Sequence, residues 1–225
     1  MQLQIAPSIL AADFLHLEND IRSLNEAADI IHLDVMDGTL VPNISFGFSV
    51  IEPIAKIATK PLDVHLMIIH PEKYFERFAA CGIDMLSFHL EAAEQEGSDP
   101  SALLAKIRSL GMKAGLAFNP DIPLERVIPY IESADYLVVM SVFAGFGGQS
   151  FIEETHARIA ALRREIAVRN PSCLIEVDGG VTPSNAALIH ASGADILVAG
   201  SAVFKSGDPR RTISALRGAD CLPRP

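Results

Sequence analysis

Ile31-His-Leu-Asp-Val-Met-Asp-Gly38 is an apolar run broken by one histidine and one acid and ended by glycine, and its reading decides the fold. Side chains alternate along a strand, so two-residue periodicity puts His32 and Asp34 on one face. Ile175-Glu-Val-Asp-Gly-Gly180 repeats the plan with Asp178, and Leu62-Asp-Val-His-Leu-Met67 offers His65 near a strand end. Working outward, β-rich runs recur at 4–8, 30–35, 62–67, 85–90, 113–118, 136–141, 174–178 and 196–199. Helical patterns separate nearly all of them, and eight alternating strands give the α/β class and the (β/α)8 TIM barrel.

The helices are expected at 17–28, 74–80, 100–110, 123–132, 155–168, 183–191 and 209–217, several opened by proline and followed by glycine. Pro53 interrupts the pattern between the second and third strands, so a helix is expected only after it. Ala28-Asp29, Gly82-Ile-Asp84, Ala134-Asp135 and Gly193-Ala-Asp195 each stand just before a strand and read as a repeated helix-to-strand turn. With no linker or composition break, residues 1–225 are expected to form a single barrel domain with a short flexible tail at 220–225.

The chain has 225 residues, 49% of them hydrophobic, and a net charge of −10 at pH 7. That charge and the lack of a dense basic run argue against nucleic acid and anionic membranes as partners. The apolar runs 136–140 and 196–199 are too short to span a bilayer, and Met1-Gln-Leu-Gln-Ile-Ala-Pro7 has no basic start to a leader, which points to a cytoplasmic protein. Cys81, Cys173 and Cys221 lack Cys-x-x-Cys spacing and fit reduced thiols.

On the face formed by the C-terminal strand ends stand Ser8, His32 with Asp34, His65, His89, Asn119, Ser141, Asp178 and Gly200-Ser201. Any one of these is more often a polar residue merely approaching solvent. Together they resist that reading, because His32, His65 and both aspartates interrupt apolar strands where an unpaired polar group is costly. Asp34 and Asp178, from two strands, could face one carbon from opposite sides and move its proton. His32, Asp34, His65 and Asp178 make a first shell for one divalent ion, Zn, Fe(II), Mn or Co; the plainer alternative is a hydrogen-bonded polar cluster. Asp63 shares a face with His65, either as a carboxylate below it or as an ordinary buried acid.

Glycines follow the last three strands as Gly145-Phe146-Gly147-Gly148, Gly179-Gly180 and Gly200-Ser201. Loop glycines usually mean turns, yet the loops after strands seven and eight of such barrels commonly hold phosphate. No arginine accompanies them, so backbone N–H groups would hold the anion. Met36, Met67 and Met140 fall at or beside strand ends, as core filler or as an apolar lid. His16, His70, His156 and His190 read as solvated, and His89 with Glu91 as a polar pair outside the metal shell.

The segments Ala6-Pro-Ser-Ile-Leu-Ala-Ala-Asp-Phe14, His32-Leu-Asp-Val-Met-Asp-Gly38 with Val41-Pro-Asn43, Asp63-Val-His-Leu-Met67, Gly145-Phe-Gly-Gly-Gln149, Glu176-Val-Asp-Gly-Gly180 and Ala199-Gly-Ser-Ala-Val-Phe204 resemble the ribulose-phosphate 3-epimerase family in order and spacing. The resemblance implies a barrel of the ribulose-phosphate-binding type, one divalent metal ion per subunit, a homo-oligomer, and interconversion of D-ribulose 5-phosphate and D-xylulose 5-phosphate. It makes Asp34 the proton acceptor and Asp178 the donor, both on the metal with His32 and His65. Ser8, His65 and Asp178 would contact the phosphorylated ketose, and Gly145, Phe146, Gly147, Gly148, Gly179, Gly180, Gly200 and Ser201 would cradle its phosphate. The sequence departs at Phe143-Ala144, where many members have a polar residue followed by proline.

Such a site suits the chemistry, since a cation near the ketone would stabilise the enediolate formed when one aspartate removes the C3 proton. The rivals are a ketohexose 6-phosphate 3-epimerase acting on D-allulose 6-phosphate and a non-catalytic sugar-phosphate-binding barrel. A barrel decarboxylase or aldolase-like synthase fits less well, because related sites place a lysine among the acids where Asp63-Val-His65 has histidine.

Overall fold

The alternating pattern builds β1 (Gln4–Ala6), β2 (Ile31–Met36), β3 (Leu62–Met67), β4 (Met85–His89), β5 (Lys113–Phe118), β6 (Tyr136–Met140), β7 (Leu174–Asp178) and β8 (Ile196–Val198). The computed structural model describes residues 2–218; Cys221 and the tail expected at 220–225 lie outside them. All pairings are parallel, in the order β1-β8-β7-β6-β5-β4-β3-β2. The two ends of that order meet through a bridge between Ser8 and His32 and through the His32 N–H, which donates to the Pro7 carbonyl at 3.1 Å. This closes the TIM barrel. Parallel neighbours require a crossover, and helices supply it.

The helices are α1 (Leu17–Ala27), α2 (Phe48–Ile57), α3 (Phe75–Ala80), α4 (Leu90–Gln95), α5 (Pro100–Ser109), α6 (Leu124–Val127), α7 (Thr155–Arg169), α8 (Ala186–Ser192), α9 (Ser201–Phe204) and α10 (Pro209–Arg217). Four differ from expectation. Helix α2 starts ahead of Pro53 and runs through it, since Ile51 and Ile54 bury on the sheet and outweigh one lost backbone bond. The single helix expected over 123–132 is instead α6 and a 3-10 turn, Ile128–Tyr130, where Pro129 removes a donor. Helices α4 and α9 are too short for periodicity to reveal. Among the described residues no helix is long and apolar enough to cross a membrane.

The repeated aspartates have a structural reason. Asp29, Asp84, Asp135 and Asp195 precede the even-numbered strands, and the Oδ2 of each accepts the N–H of Ile5, Leu62, Ala114 or Ile175, at distances of 2.8–2.9 Å, in the neighbouring odd-numbered strand. Arg217 of α10, Arg108 of α5 and Arg163 of α7 pair with Asp29, Asp135 and Asp195.

One apolar layer lies between sheet and helices and a second lies inside the barrel, where Ala6, Met85, Ala117, Tyr136, Val138, Met140, Ile196 and Val198 meet. Gly115 makes room for Tyr136 there, because a Cβ would sit 2.4 Å from the ring and 2.7 Å from Ser87. The inward face that is not apolar carries the chemistry.

Candidate active site

Strand β2 turns His32 and Asp34 inward, β3 turns Asp63 and His65 inward, and the register sets Asp34 opposite His65 and His32 opposite Asp63. Strand β7 adds Glu176 and Asp178. His32 Nε2 lies 3.3 Å from Asp34 Oδ1, while His65 Nδ1 lies 3.4 Å from Asp34 Oδ1 and 3.4 Å from Asp178 Oδ2. One donor atom from each of the four side chains falls within 4.8 Å of the others. Both histidines are fully buried, yet His32 Nε2 and His65 Nδ1 have no hydrogen-bond partner among the described residues.

Two orphaned ring nitrogens aimed at two carboxylates fit a cation. Donors about 2.1 Å from a tetrahedral ion stand about 3.4 Å from one another, which matches the spacing here. The same crowding shapes the charges. Burial disfavours a charged His32, but Asp34 and Asp63 raise it well above the ordinary imidazole range. Burial likewise opposes a charged His65, and Asp178 and Asp34 raise it. Burial works against the Asp34 carboxylate too, yet His32 and His65 hold it far below its usual range. A bound cation takes the place of those ring protons, since histidine binds metal as the neutral base.

Beneath this layer lies a second polar layer. Asp63 Oδ2 stands 2.7 Å from His32 Nδ1, and its Oδ1 accepts from the Tyr136 hydroxyl at 2.8 Å. Asp63 lies below His65 on the same face of β3, as sequence periodicity suggests, and the ladder makes His32 on the neighbouring strand its partner. Glu176 is fully buried, neither of its oxygens makes a hydrogen bond among the described residues, and Oε1 stands 3.5 Å from His32 Nδ1; burial, reinforced by Asp63, pushes its carboxyl well above the usual range. Tyr136 and Glu176 were missed, although two-residue periodicity places Glu176 on the face of Asp178 and Tyr136 on that of Met140.

Above these four side chains opens a cavity of about 980 Å³. Ser8, Asp34 and Asp178 face it, as do Met36, Met67 and Met140, all three buried. The Ser8 hydroxyl donates to Asp34 Oδ2 at 2.5 Å, leaving Oδ1 toward the histidines. Gly145, Phe146, Gly147, Gly148, Gly179, Gly180, Gly200 and Ser201 line the same cavity, so three separate loops converge as expected. Gly179 and Gly180 have φ of +121° and +63°, and a Cβ on either would come within 2.4 Å of Val142 or Phe151. Lys205 also lines the cavity, a cation that reading the glycine loops for arginine had not sought.

The loop carrying Phe143 is tied down despite its departure from the family pattern. Asn119 Oδ1 accepts the Ala144 N–H at 2.9 Å, Asn43 donates to the Gly145 carbonyl at 2.8 Å, and Gln149 donates to the carbonyls of Phe143 and Phe146. Of the histidines expected to be solvated, His16 is exposed, while His70 and His156 are half-buried, with His156 Nδ1 2.9 Å from Ser192 Oγ. His190 is instead buried in α8, its Nδ1 2.9 Å from the Ala194 carbonyl.

Residues 4–204 match the model of the ribulose-phosphate 3 epimerase family. The chain belongs to this family. A ribulose-phosphate 3-epimerase of Synechocystis is 44% identical over 216 residues, covering 96% of this chain and 93% of the relative. One from Bacillus subtilis is 41% identical over 219 residues, covering 96% and 99%. Among solved structures, KGPDC from Streptococcus mutans superposes with a TM-score of 0.74 at 11% identity, over 98% of each chain. The 3-hexulose-6-phosphate synthase of Salmonella typhimurium gives 0.70 at 17% identity, over 96% of this chain and 98% of that one. At these identities the likeness is one of fold.

Proposed function

We propose that this family member is a metal-dependent isomerase that inverts C3 of D-ribulose 5-phosphate to give D-xylulose 5-phosphate. The observation that carries the reading is the pairing of Asp34 and Asp178, brought from β2 and β7 to the floor of one cavity beside two unpartnered histidine nitrogens. His32, Asp34, His65 and Asp178 would hold one divalent ion, and Zn, Fe(II), Mn and Co all suit two imidazoles with two carboxylates. Bound there, it supplies Lewis-acid stabilisation for negative charge growing on the ketone side of the substrate.

The chain's own groups move the proton. Asp34, kept ionised by its histidine neighbours and steadied by the Ser8 hydroxyl, takes the C3 proton from one face. The C–H electron pair becomes the second bond between C2 and C3 as the π pair of the C2 ketone moves onto its oxygen, giving the enediolate. Asp178 then delivers a proton to the opposite face of C3, and the electron pair returns from the enediolate to the new C–H bond. Met36, Met67 and Met140 keep water from the reacting carbon, which strengthens every electrostatic interaction there. Backbone N–H groups of Gly145, Phe146, Gly147, Gly148, Gly179, Gly180, Gly200 and Ser201 would receive the phosphate, with Lys205 adding a positive charge.

A ketohexose 6-phosphate has one more carbon to fit between phosphate and ketone, and Phe143 at the cavity wall is the observation that favours it. We place the pentulose first because the glycine loops and metal ligands keep the family's spacing. Incubation with ribulose 5-phosphate in deuterated water should yield xylulose 5-phosphate labelled at C3 by NMR. Absence of both exchange and conversion in metal-loaded protein would contradict the proposal. A higher kcat/KM for allulose 6-phosphate would move the substrate and keep the chemistry.

We also propose a cytoplasmic homo-oligomer. The free thiols of Cys81 and Cys173 support the first, and the exposed Leu15 and Ile44 on loops after β1 and β2 support the second. Light scattering that returns the monomer mass would remove the oligomer.

A further inference from the structure

His89 ends β4 next to β3, and its ring meets that of His65 edge to edge, with centroids 5.0 Å apart and planes within 16°. The two Nε2 atoms are 2.9 Å apart, and both rings are buried. Only one proton fits between two ring nitrogens at that distance, so one ring donates and the other accepts. His65 Nδ1 faces Asp34 and Asp178. If that nitrogen is to offer a lone pair to a metal, the neutral His65 must carry its hydrogen on Nε2 and donate it to His89.

His89 then carries its own hydrogen on Nδ1, and that atom faces Glu91 Oε2 across 3.6 Å. Neither atom has a hydrogen-bond partner among the described residues, so two buried groups of opposite kind are left facing each other. The other oxygen of Glu91 accepts the Asn119 N–H at 3.0 Å, which anchors the far end on the backbone after β5.

The geometry points to His89 as the positioning residue of the metal centre: with Glu91 behind it, it holds His65 in the one tautomer and ring orientation that leave Nδ1 free to bind the ion. This rests on the reading of His32, Asp34, His65 and Asp178 as that centre. His89 touches neither metal nor substrate in this role and acts only through His65.

The test is Co²⁺ binding to the intact protein, read by competition with a chromophoric chelator, alongside kcat and KM for ribulose 5-phosphate and the melting temperature of the metal-free protein. His89→Phe keeps the ring and removes the acceptor, and should bind Co²⁺ about 10- to 100-fold more weakly. His89→Gln restores an acceptor and should recover most of that loss, with KM for the sugar little changed in both. Mere packing would instead lower the metal-free melting temperature and leave the cobalt affinity alone.

A His89→Phe protein that binds Co²⁺ as tightly as the parent overturns the inference while the metal centre stands. A parent that binds no Co²⁺ overturns the metal reading itself, and this one with it. Should His89→Phe fail to fold, Glu91→Gln reads the same relay from its far end. Its carbonyl can keep the Asn119 N–H, which turns the amide N–H toward His89 Nδ1 and sets donor against donor. Weakened cobalt binding supports the relay, and unchanged binding overturns it.

Discussion

The two rims of this barrel are built on opposite plans. At the N-terminal rim Asp29, Asp84, Asp135 and Asp195 do one job four times over, each taking an N–H near the start of a neighbouring strand. At the C-terminal rim the strands end in a serine, a histidine with an aspartate, another histidine or an aspartate preceding glycines, and few of the ends repeat. Repetition is what a purely mechanical task permits, since every helix-to-strand return meets the same unsatisfied donor. The upper rim faces one asymmetric task, so each strand contributes a different group. A barrel can therefore keep one rim for holding the sheet and the other for chemistry, and substitutions at the two should be separable.

The sharpest separation should come from Asp178→Asn, expected to lower net epimerisation by about 10³-fold, or about 4 kcal/mol of transition-state stabilisation. With metal content shown to be normal, this variant should still exchange the C3 hydrogen of ribulose 5-phosphate with deuterated water, because Asp34 can remove a proton and return one to the same face. It should not exchange that of xylulose 5-phosphate. Full turnover in Asp178→Asn would break the division of labour at the upper rim.

Next in size stands Gly179→Ala, which forces a side chain onto Val142 at a residue with φ of +121°. The displaced loop should cost about 10- to 100-fold in kcat/KM, since shifts of about 1 Å at a reacting centre have effects of that order. Unchanged kinetics would show that the loop after β7 does not locate the substrate.

At the other rim the readout changes from rate to stability. Asp195 is buried and serves both the Ile175 N–H and Arg163, so Asp195→Ala should cost about 2–3 kcal/mol. That corresponds to a fall of about 5–10 °C in melting temperature for a chain of this size. The kcat of the folded protein should not change, and a large loss of kcat would erase the contrast between rims. Smallest of all, Asp135→Asn keeps an oxygen for the Ala114 N–H and loses only a surface ion pair with Arg108, for about 0.5–1 kcal/mol.

Sequence made the barrel legible because the strands are short and largely apolar and nearly all are separated by a helical pattern. The places of His32, Asp34, His65 and Asp178 near strand ends made them candidates for one cluster, either a metal shell or a hydrogen-bonded group. Sequence could not say which side chain lies across a ladder from which, because register belongs to pairs of strands. That is why the contact of Asp63 with His32 is not legible in the sequence although its place below His65 is, and why Tyr136, which reaches Asp63 across the barrel, is not legible either. Pro53 misled for a related reason: local backbone chemistry argues for a break, while the tertiary burial of Ile51 and Ile54 carries the helix through.

The join between β1 and β2 has a dynamic consequence. Strand β1 is three residues long, Pro7 follows it without an N–H, and contact with β2 beyond that point relies on the His32 amide and the bridge at Ser8. The wall of the barrel is thinnest there, and local opening favours such places. Any breathing of this seam carries Ser8 away from Asp34, so the amide of His32 should exchange with solvent deuterium faster than those in the middle of β3. The clock of that exchange would time how often the acid beside it loses its hydroxyl support.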